Sequence, residues 1–276
     1  LMKELQYKLI VSDFDGTLRR SEGGVSEETI ETVRRYTDAG GTFALCTGRM
    51  PKAILPCARQ LGLSGLVGAY QGAVIEEIGS GKLVRDGRIP TDDAIKICTF
   101  MQENGWHIHV YDGDDLYINM DDDFRAWYEK TCNVRGILTP FDISATVREK
   151  NISPHKIVIM CPAEERKSAL DSLESRFGEK YYVTTSSENL VEIIKKGCNK
   201  GGVITFLAQY YGIPLSQTIA IGDNLNDLPM LRAAGLGVVV ENGEEELKKE
   251  ADFITRSCDS DGVAYVIKKF GLGENV

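Results

Sequence analysis

Three short apolar runs in this chain each end abruptly in polar residues: "LIVSDFD" at 9–15, "FALCTGR" at 43–49 and "IAIGDN" at 219–224. An apolar run this short, without polar alternation, suits a strand covered on both faces. Such strands belong to parallel sheets, and each needs a crossover, usually a helix, to bring the chain back to the same edge. The helices follow on cue. "SEETIETVRRYTDAGG" comes after the first run, with Ser26 as cap, Glu27 and Glu28 at the positive end, Ile30 and Val33 on one face and Gly40–Gly41 as the stop. "KAILPCARQLGL" comes after the second, and Pro56 is expected to kink it or mark its first turn. "DLPMLRAAG" comes after the third. "GLVGAY" and "LGVVV" read as further strands, "KGGVITFLAQYYG" and "DGVAYVIKKFG" as further helices. The pattern predicts a Rossmann-like α/β core on a parallel sheet.

The middle of the chain follows another rule. "GAVIEE" and "LVRDGRI" flank the glycine turn "GSGK" as a hairpin. "TDDAIKICTFMQENG" is a helix with Thr91 as cap and Gly105 as stop, and "WHIHVYDGDDLYINM" alternates around a polar turn as an antiparallel pair. The fold class is therefore α/β with an inserted α+β domain. The boundaries fall at 1–82 and 190–276 for the core and 83–189 for the insert, a length of roughly 100 residues that suits one domain.

Charge narrows the partners. The net charge is −9, and no Lys/Arg run exceeds two residues. That excludes a general attraction to nucleic acid or to an anionic membrane, while leaving small anions open, because one cation reverses the field inside a cleft. Cys46, Cys57, Cys98, Cys132, Cys161, Cys198 and Cys258 contain no CxxC pair and read as reduced thiols. No N-terminal apolar segment has the form of a signal peptide and no run has transmembrane length, so a cytoplasmic location is expected. Leu1 before Met2 reads as an expression remnant and is set aside.

The polar strand ends carry the chemistry. In a parallel sheet, Asp13/Asp15, Thr47/Arg49 and Asp223/Asn226/Asp227 gather at one edge, outside the carboxyl ends of the strands, where ligands bind. Carboxylates at ~4 Å repel by ~4 kcal/mol even at an effective dielectric near 20. Either a held proton or a cation must relieve this, and oxygen donors without nearby His or Cys suit Mg²⁺. Taken singly, each signal has a plainer explanation. A lone D-x-D is more often a turn or a cap, and "DGT" alone is a turn. "GDNLND" opens like a calcium loop, but Ala234 stands where the twelfth-position acid belongs. The order and placement of the segments, each after its own strand, are what is specific.

"DFDGTL", "CTGR", "GCNKGG" and "GDNLNDLPML", in this order, resemble the four motifs of the haloacid dehalogenase-like superfamily, and most of all its Cof-type phosphatases, which carry a large α/β cap between the second and third motifs. The resemblance covers nearly the whole chain. It implies a phosphoric monoester hydrolase with Mg²⁺ as cofactor. Asp13 would be the nucleophile that forms an aspartyl phosphate. Asp15 would be the general acid and base, its backbone carbonyl also a metal ligand. Gly16 would let the chain turn away and Thr17 would help hold the loop. Asp223 would complete the metal site with Asp13, and Asp227 would act as a direct ligand or behind one. Thr47, Gly48 and Lys200 would bind phosphate, and Asn226 would orient the phosphate or a neighbouring carboxylate. Lys200 is chosen over Lys195 and Lys196 because it precedes Gly201–Gly202 at a helix start. Arg49 is as well explained by a structural ion pair as by phosphate. Where the family often has Asn-Gly-Ala, this chain has Gln71-Gly72-Ala73, and a substrate-side hydrogen bond is open there.

The implied substrate is a small phosphorylated metabolite, a sugar phosphate or similar phosphomonoester, whose leaving group the cap would select; oligomeric state is open. A sugar phosphomutase using the same phospho-aspartate is one alternative, and a non-enzymatic phospho-acceptor or metal-dependent binding module is another. No G-x-x-x-x-G-K-[ST] loop supports a kinase or ATPase. In the insert, His107 and His109 alternate on one strand face, a zinc pair without an evident third ligand and more simply structural or substrate-facing. Tyr111, Tyr117, Trp127 and Tyr128 read as packing of the insert.

Overall fold

The computed structural model describes residues 5–276; Leu1 and Met2 lie outside them. The first stretch of chain forms β1 (Leu9–Ser12), α1 (Glu27–Asp38), β2 (Thr42–Leu45), α2 (Pro51–Gln60), β3 (Leu66–Ala69), β4 (Val74–Glu77) and β5 (Leu83–Asp86). The second forms α3 (Thr91–Glu103), β6 (His107–Asp112), β7 (Asp115–Ile118), α4 (Asp123–Cys132), β8 (Ile137–Leu138), α5 (Ile143–Glu149), β9 (Lys156–Met160), α6 (Arg166–Phe177), β10 (Tyr181–Ser187) and β11 (Leu190–Lys195). The third forms α7 (Lys200–Tyr210), β12 (Thr218–Gly222), α8 (Leu228–Ala233), β13 (Leu236–Val240), α9 (Glu245–Lys248), β14 (Phe253–Thr255) and α10 (Gly262–Val266).

The first and third stretches make one unit, which among the described residues takes in 5–47, 55–84 and 199–276. Its main sheet has the order β14-β13-β12-β1-β2, parallel throughout. Leu9, Ile10 and Val11 of β1 are fully buried, as the apolar run requires. β1 has β12 on one side and β2 on the other, so the strand order reverses there and opens a crevice at the carboxyl edge. Register aligns that edge. Ser12 pairs with Leu45 and with Ile221, so the next residues of all three strands emerge side by side. A bridge from Cys46 to Gly68 sets β3 beyond β2, and β3, β4 and β5 form the expected hairpin sheet.

Residues 48–54 and 85–198 make the second unit. Its six-stranded sheet has the order β10-β11-β9-β6-β7-β8, antiparallel except for β7–β8. Strand alternation sorts the side chains. Ile108, Val110, Ile157, Ile159, Val191 and Ile193 enter an apolar core with Ile97, Met101 and Leu173 from the helices. This unit ends later than the pattern placed it. β11 was assigned to the core by the 189/190 boundary, yet it pairs with both β9 and β10. The division lies at Asn199, and 48–54 also group with this unit. An apolar strand shows no preference between two sheets until its partners are known. No helix among the described residues is long and apolar enough to cross a membrane, and all seven cysteines are free thiols.

Candidate active site

Asp13 is the residue after β1. Its backbone N–H continues the ladder to the Ile221 carbonyl at 2.9 Å, and its side chain is 6% exposed. The chain then has to leave the edge at once. Gly16 does this at φ +75°, where a Cβ would stand 2.6 Å from Asp223 Oδ2. Only a residue without a side chain satisfies both conditions. Asn242 Nδ2 donates to the Gly16 carbonyl at 2.7 Å and holds the turn. Thr17 is buried and donates from Oγ1 to Asp223 Oδ1 at 2.6 Å.

After β12, the chain bends through a short 3₁₀ turn at Leu225–Asp227 that buries Asp227 completely. Asp227 Oδ2 accepts from the backbone N–H groups of Asp223 (2.9 Å) and Asn224 (3.1 Å). Its Oδ1 accepts from Lys200 Nζ at 2.6 Å. Lys200, 1% exposed, opens α7, which Asn199 caps by accepting from Gly202 N–H. The ammonium also lies 2.8 Å from Asp13 Oδ1. One buried cation thus serves two carboxylates from opposite sides.

That leaves the cluster short of positive charge. Burial drives the Asp13 carboxyl well above the usual range; Lys200 opposes the rise, while Asp227 and Asp223 add to it. Burial, then Asp227, lifts Asp223 to about 7. Burial alone would depress the Lys200 ammonium, but Asp13 and Asp227 outweigh it and hold its pKa above the ordinary lysine value. Three carboxylates share one ammonium, so a proton or a further cation is required. The donors fit a hard cation. Asp13, Asp223 and Asp227 each offer an oxygen, all within 4.8 Å of one another. Asp227 also accepts three hydrogen bonds, by which it holds Lys200 and the 223–224 backbone.

Other expected residues sit variously. Thr47 is buried after β2; its N–H donates to the Gly68 carbonyl (3.0 Å) and its carbonyl accepts from Gln71 N–H (2.9 Å). Gly48 belongs to the second unit, and its carbonyl accepts from the buried Lys156 at 2.8 Å. The Asp15 carboxyl is 45% exposed, with Arg19 at 3.8 Å. Asn226 is 5% exposed and donates from Nδ2 to Gln71 Oε1 at 3.0 Å. Gln71 as an internal member of this site was not evident from the sequence. The available signal was the substitution of Gln for Asn before Gly-Ala.

Among the described residues, His107 and His109 belong to no cluster of three or more metal-ligating side chains. Their Nε2 atoms hydrogen-bond each other at 2.9 Å. Asp122 accepts a hydrogen bond from His107 Nδ1–H at 2.9 Å, and in that tautomer His107 Nε2 accepts while His109 Nε2 donates. His109 Nδ1 is left to accept from the Tyr111 hydroxyl at 3.3 Å. Tyr111, Tyr117 and Tyr128 are buried as expected, whereas Trp127 is 43% exposed.

The chain is similar along its length to known proteins. The chain is 32% identical to a Haemophilus influenzae protein provisionally named a phosphatase, over 96% of this chain and 98% of that one. It is 28% identical to a Bacillus subtilis 5-amino-6-(5-phospho-D-ribitylamino)uracil phosphatase, over 97% and 99%. Its structure is similar to a crystal structure of a haloacid dehalogenase-like hydrolase from Bacteroides thetaiotaomicron, with a TM-score of 0.82, 29% identity and coverage of 95% and 99%. The family model for haloacid dehalogenase-like hydrolases matches residues 10–267, from the strand that delivers Asp13 to the last helix, and the chain belongs to that family.

Proposed function

We propose that the protein is a Mg²⁺-dependent phosphatase that hydrolyses a small phosphorylated metabolite through an aspartyl phosphate on Asp13. The observation that carries this reading is the buried cluster of Asp13, Asp223 and Asp227 around one lysine at the switch point of a parallel sheet. An Asp13 carboxylate in that position is desolvated, and Lys200 counters the resulting tendency to take up a proton. Asp13 attacks phosphorus; its O–P bond forms as the ester P–O bond breaks, and Asp15 gives a proton to the leaving oxygen. Water then attacks the phosphorus of the acyl phosphate, Asp15 takes its proton, and Asp13 departs as the carboxylate. Asp15 suits this alternation because its carboxyl reaches solvent while Asp13 does not. Thr47 and Lys200 stand at the strand and helix ends where phosphate oxygens would be held. Asp13, Asp223 and the Asp15 carbonyl would hold Mg²⁺, which when bound supplies positive charge to the phosphate oxygens and keeps the carboxylates ionised.

The Bacillus subtilis relative named for a phosphoribityl substrate supports a phosphorylated sugar-like metabolite. The test is hydrolysis of p-nitrophenyl phosphate and of a panel of sugar, sugar-alcohol and nucleotide phosphates. Activity should vanish with EDTA and with Asp13→Ala. Asp15→Asn should keep Mg²⁺ affinity and lose about 10²-fold in turnover. Hydrolysis that survives both EDTA and Asp13→Ala would sink the proposal.

A further inference from the structure

Gln71 and Asn226 come from turns 155 residues apart. One follows β3 and the other follows β12, and β1 and β2 lie between these strands along the sheet. Their amide–amide bond therefore spans the edge that carries Asp13 and Thr47. Gln71 is 1% exposed and left-handed at φ +58°, between Tyr70 at +51° and Gly72 at +99°. Two contacts hold this conformation. Gln71 N–H donates to the Thr47 carbonyl, and Gly72 sits so near Asn199 that a Cβ would stand 2.7 Å from its carbonyl oxygen.

The bond has a directional consequence. Asn226 Nδ2 is committed to Gln71 Oε1, so Asn226 Oδ1 lies on the other side of the amide. That oxygen is buried and has no hydrogen-bond partner among the described residues. A buried carbonyl oxygen left without a donor is unfavourable, and native proteins rarely keep one without a use. Asn226 lies in the turn between Asp223 and Asp227. Nδ2 keeps a second hydrogen beyond the one given to Gln71, whereas Oδ1 is an acceptor without a donor. A fully ionised phosphate offers acceptors only, so the missing partner is a donor.

We propose that Gln71 is a positioning residue of this reaction, which fixes the Asn226 amide so that its unpartnered oxygen accepts a hydrogen bond from a donor that arrives with the ligand. The inference rests on the phosphatase reading. The donor is the O–H group of a water held with the divalent cation.

The experiment compares wild type, Gln71→Met, Asn226→Ala and the double variant. It reads kcat and KM on p-nitrophenyl phosphate, melting temperature, and calorimetric binding of Mg²⁺ alone and then of inorganic phosphate. Asn226→Ala removes the orphan oxygen together with its bond to Gln71, so its melting temperature should match or exceed wild type while kcat/KM falls about tenfold or more. Gln71→Met keeps the side-chain length and should show a similar activity loss. The double variant should lose no more than the worse single one, because both remove one device. Weakened Mg²⁺ binding is the expected result; weakened phosphate binding with Mg²⁺ unchanged would place the phosphate itself against Asn226 and overturn the acceptor assignment. Wild-type binding of both probes by the single variants overturns the proposal, as do losses that multiply. A drop in melting temperature for Asn226→Ala in step with activity assigns it a structural role instead. If Gln71→Met does not fold, Asn226→Ala decides by that same split. If wild type hydrolyses nothing, the phosphatase reading fails, and the Mg²⁺ and phosphate titrations still judge Gln71.

Discussion

Gly16→Ala perturbs the site by a single methyl group. Two costs arise, and the structure separates them. The first is conformational: an L-residue at φ +75° costs about 1–2 kcal/mol. The second is steric. The new Cβ would lie 2.6 Å from Asp223 Oδ2, against 3.4 Å for ordinary contact, so one group must yield by about 0.8 Å. Asp223 is not free to swing, because its other oxygen holds Thr17 Oγ1 at 2.6 Å. Forcing it off its rotamer adds about 0.5–1.5 kcal/mol. The sum, about 2–3 kcal/mol, corresponds to a drop in melting temperature of roughly 5–10 °C for a chain of this size. Misplacing a reacting constellation by about 1 Å costs on the order of 10²-fold in rate. Gly24 supplies the control. It has the same φ of +75°, and nothing lies within 4 Å of its Cβ position. Gly24→Ala should therefore pay the conformational cost alone and keep its turnover. The assay is thermal melting with kcat and Mg²⁺ titration on p-nitrophenyl phosphate. Equal melting temperatures for the two variants, with wild-type turnover in Gly16→Ala, would refute the steric argument.

Lys200→Met leaves Asp13 and Asp227 buried without their shared cation, an imbalance typically worth 3–5 kcal/mol or roughly 10 °C in melting temperature. The loss should be smaller at pH 5 than at pH 8, because the raised Asp13 and Asp223 carboxyls hold protons at the lower pH; an equal loss at both would count against the cluster. In the second unit, burial, with His107, Lys156 and Arg125 adding to it, keeps His109 neutral well below its ordinary value of 6.5. Asp122, Tyr111, Tyr128 and Glu192 are the other titratable groups around this pair. A histidine with a depressed folded pKa contributes stability that is present above the unfolded value and is lost as pH falls below it, by up to ~1.4 kcal/mol per pH unit. The difference in melting temperature between wild type and His109→Gln should thus shift toward the variant from pH 7 to pH 5, and a constant difference would refute the assignment.

Much of the site was legible because its parts are local. Asp13 follows its strand by one residue, Asp223 does the same, and Lys200 opens its helix, so strand period and cap chemistry suffice to place them. The parts that escaped are pairwise. Thr17 was expected to hold the loop, but its grip on Asp223 crosses 206 residues. Asp227 groups with Asp13 and Asp223, and its bonds to Lys200 and to the 223–224 backbone appear only in the fold. β11 falls beyond the 189/190 boundary yet pairs with β9 and β10, because an apolar strand fits either sheet until its partners are known.

The sequence by itself determined a parallel core with an insert, and it determined that carboxylates end the strands beside one lysine. Those features depend on residue type and on spacing within a few positions. Only the tertiary structure decided which strands are neighbours and in what register. With β12 and β2 flanking β1, Lys200 falls between Asp13 and Asp227, and Gln71 reaches Asn226. The physical reason is that a hydrogen bond or ion pair forms within about 3–4 Å, and no local periodicity carries distances between residues so far apart along the chain.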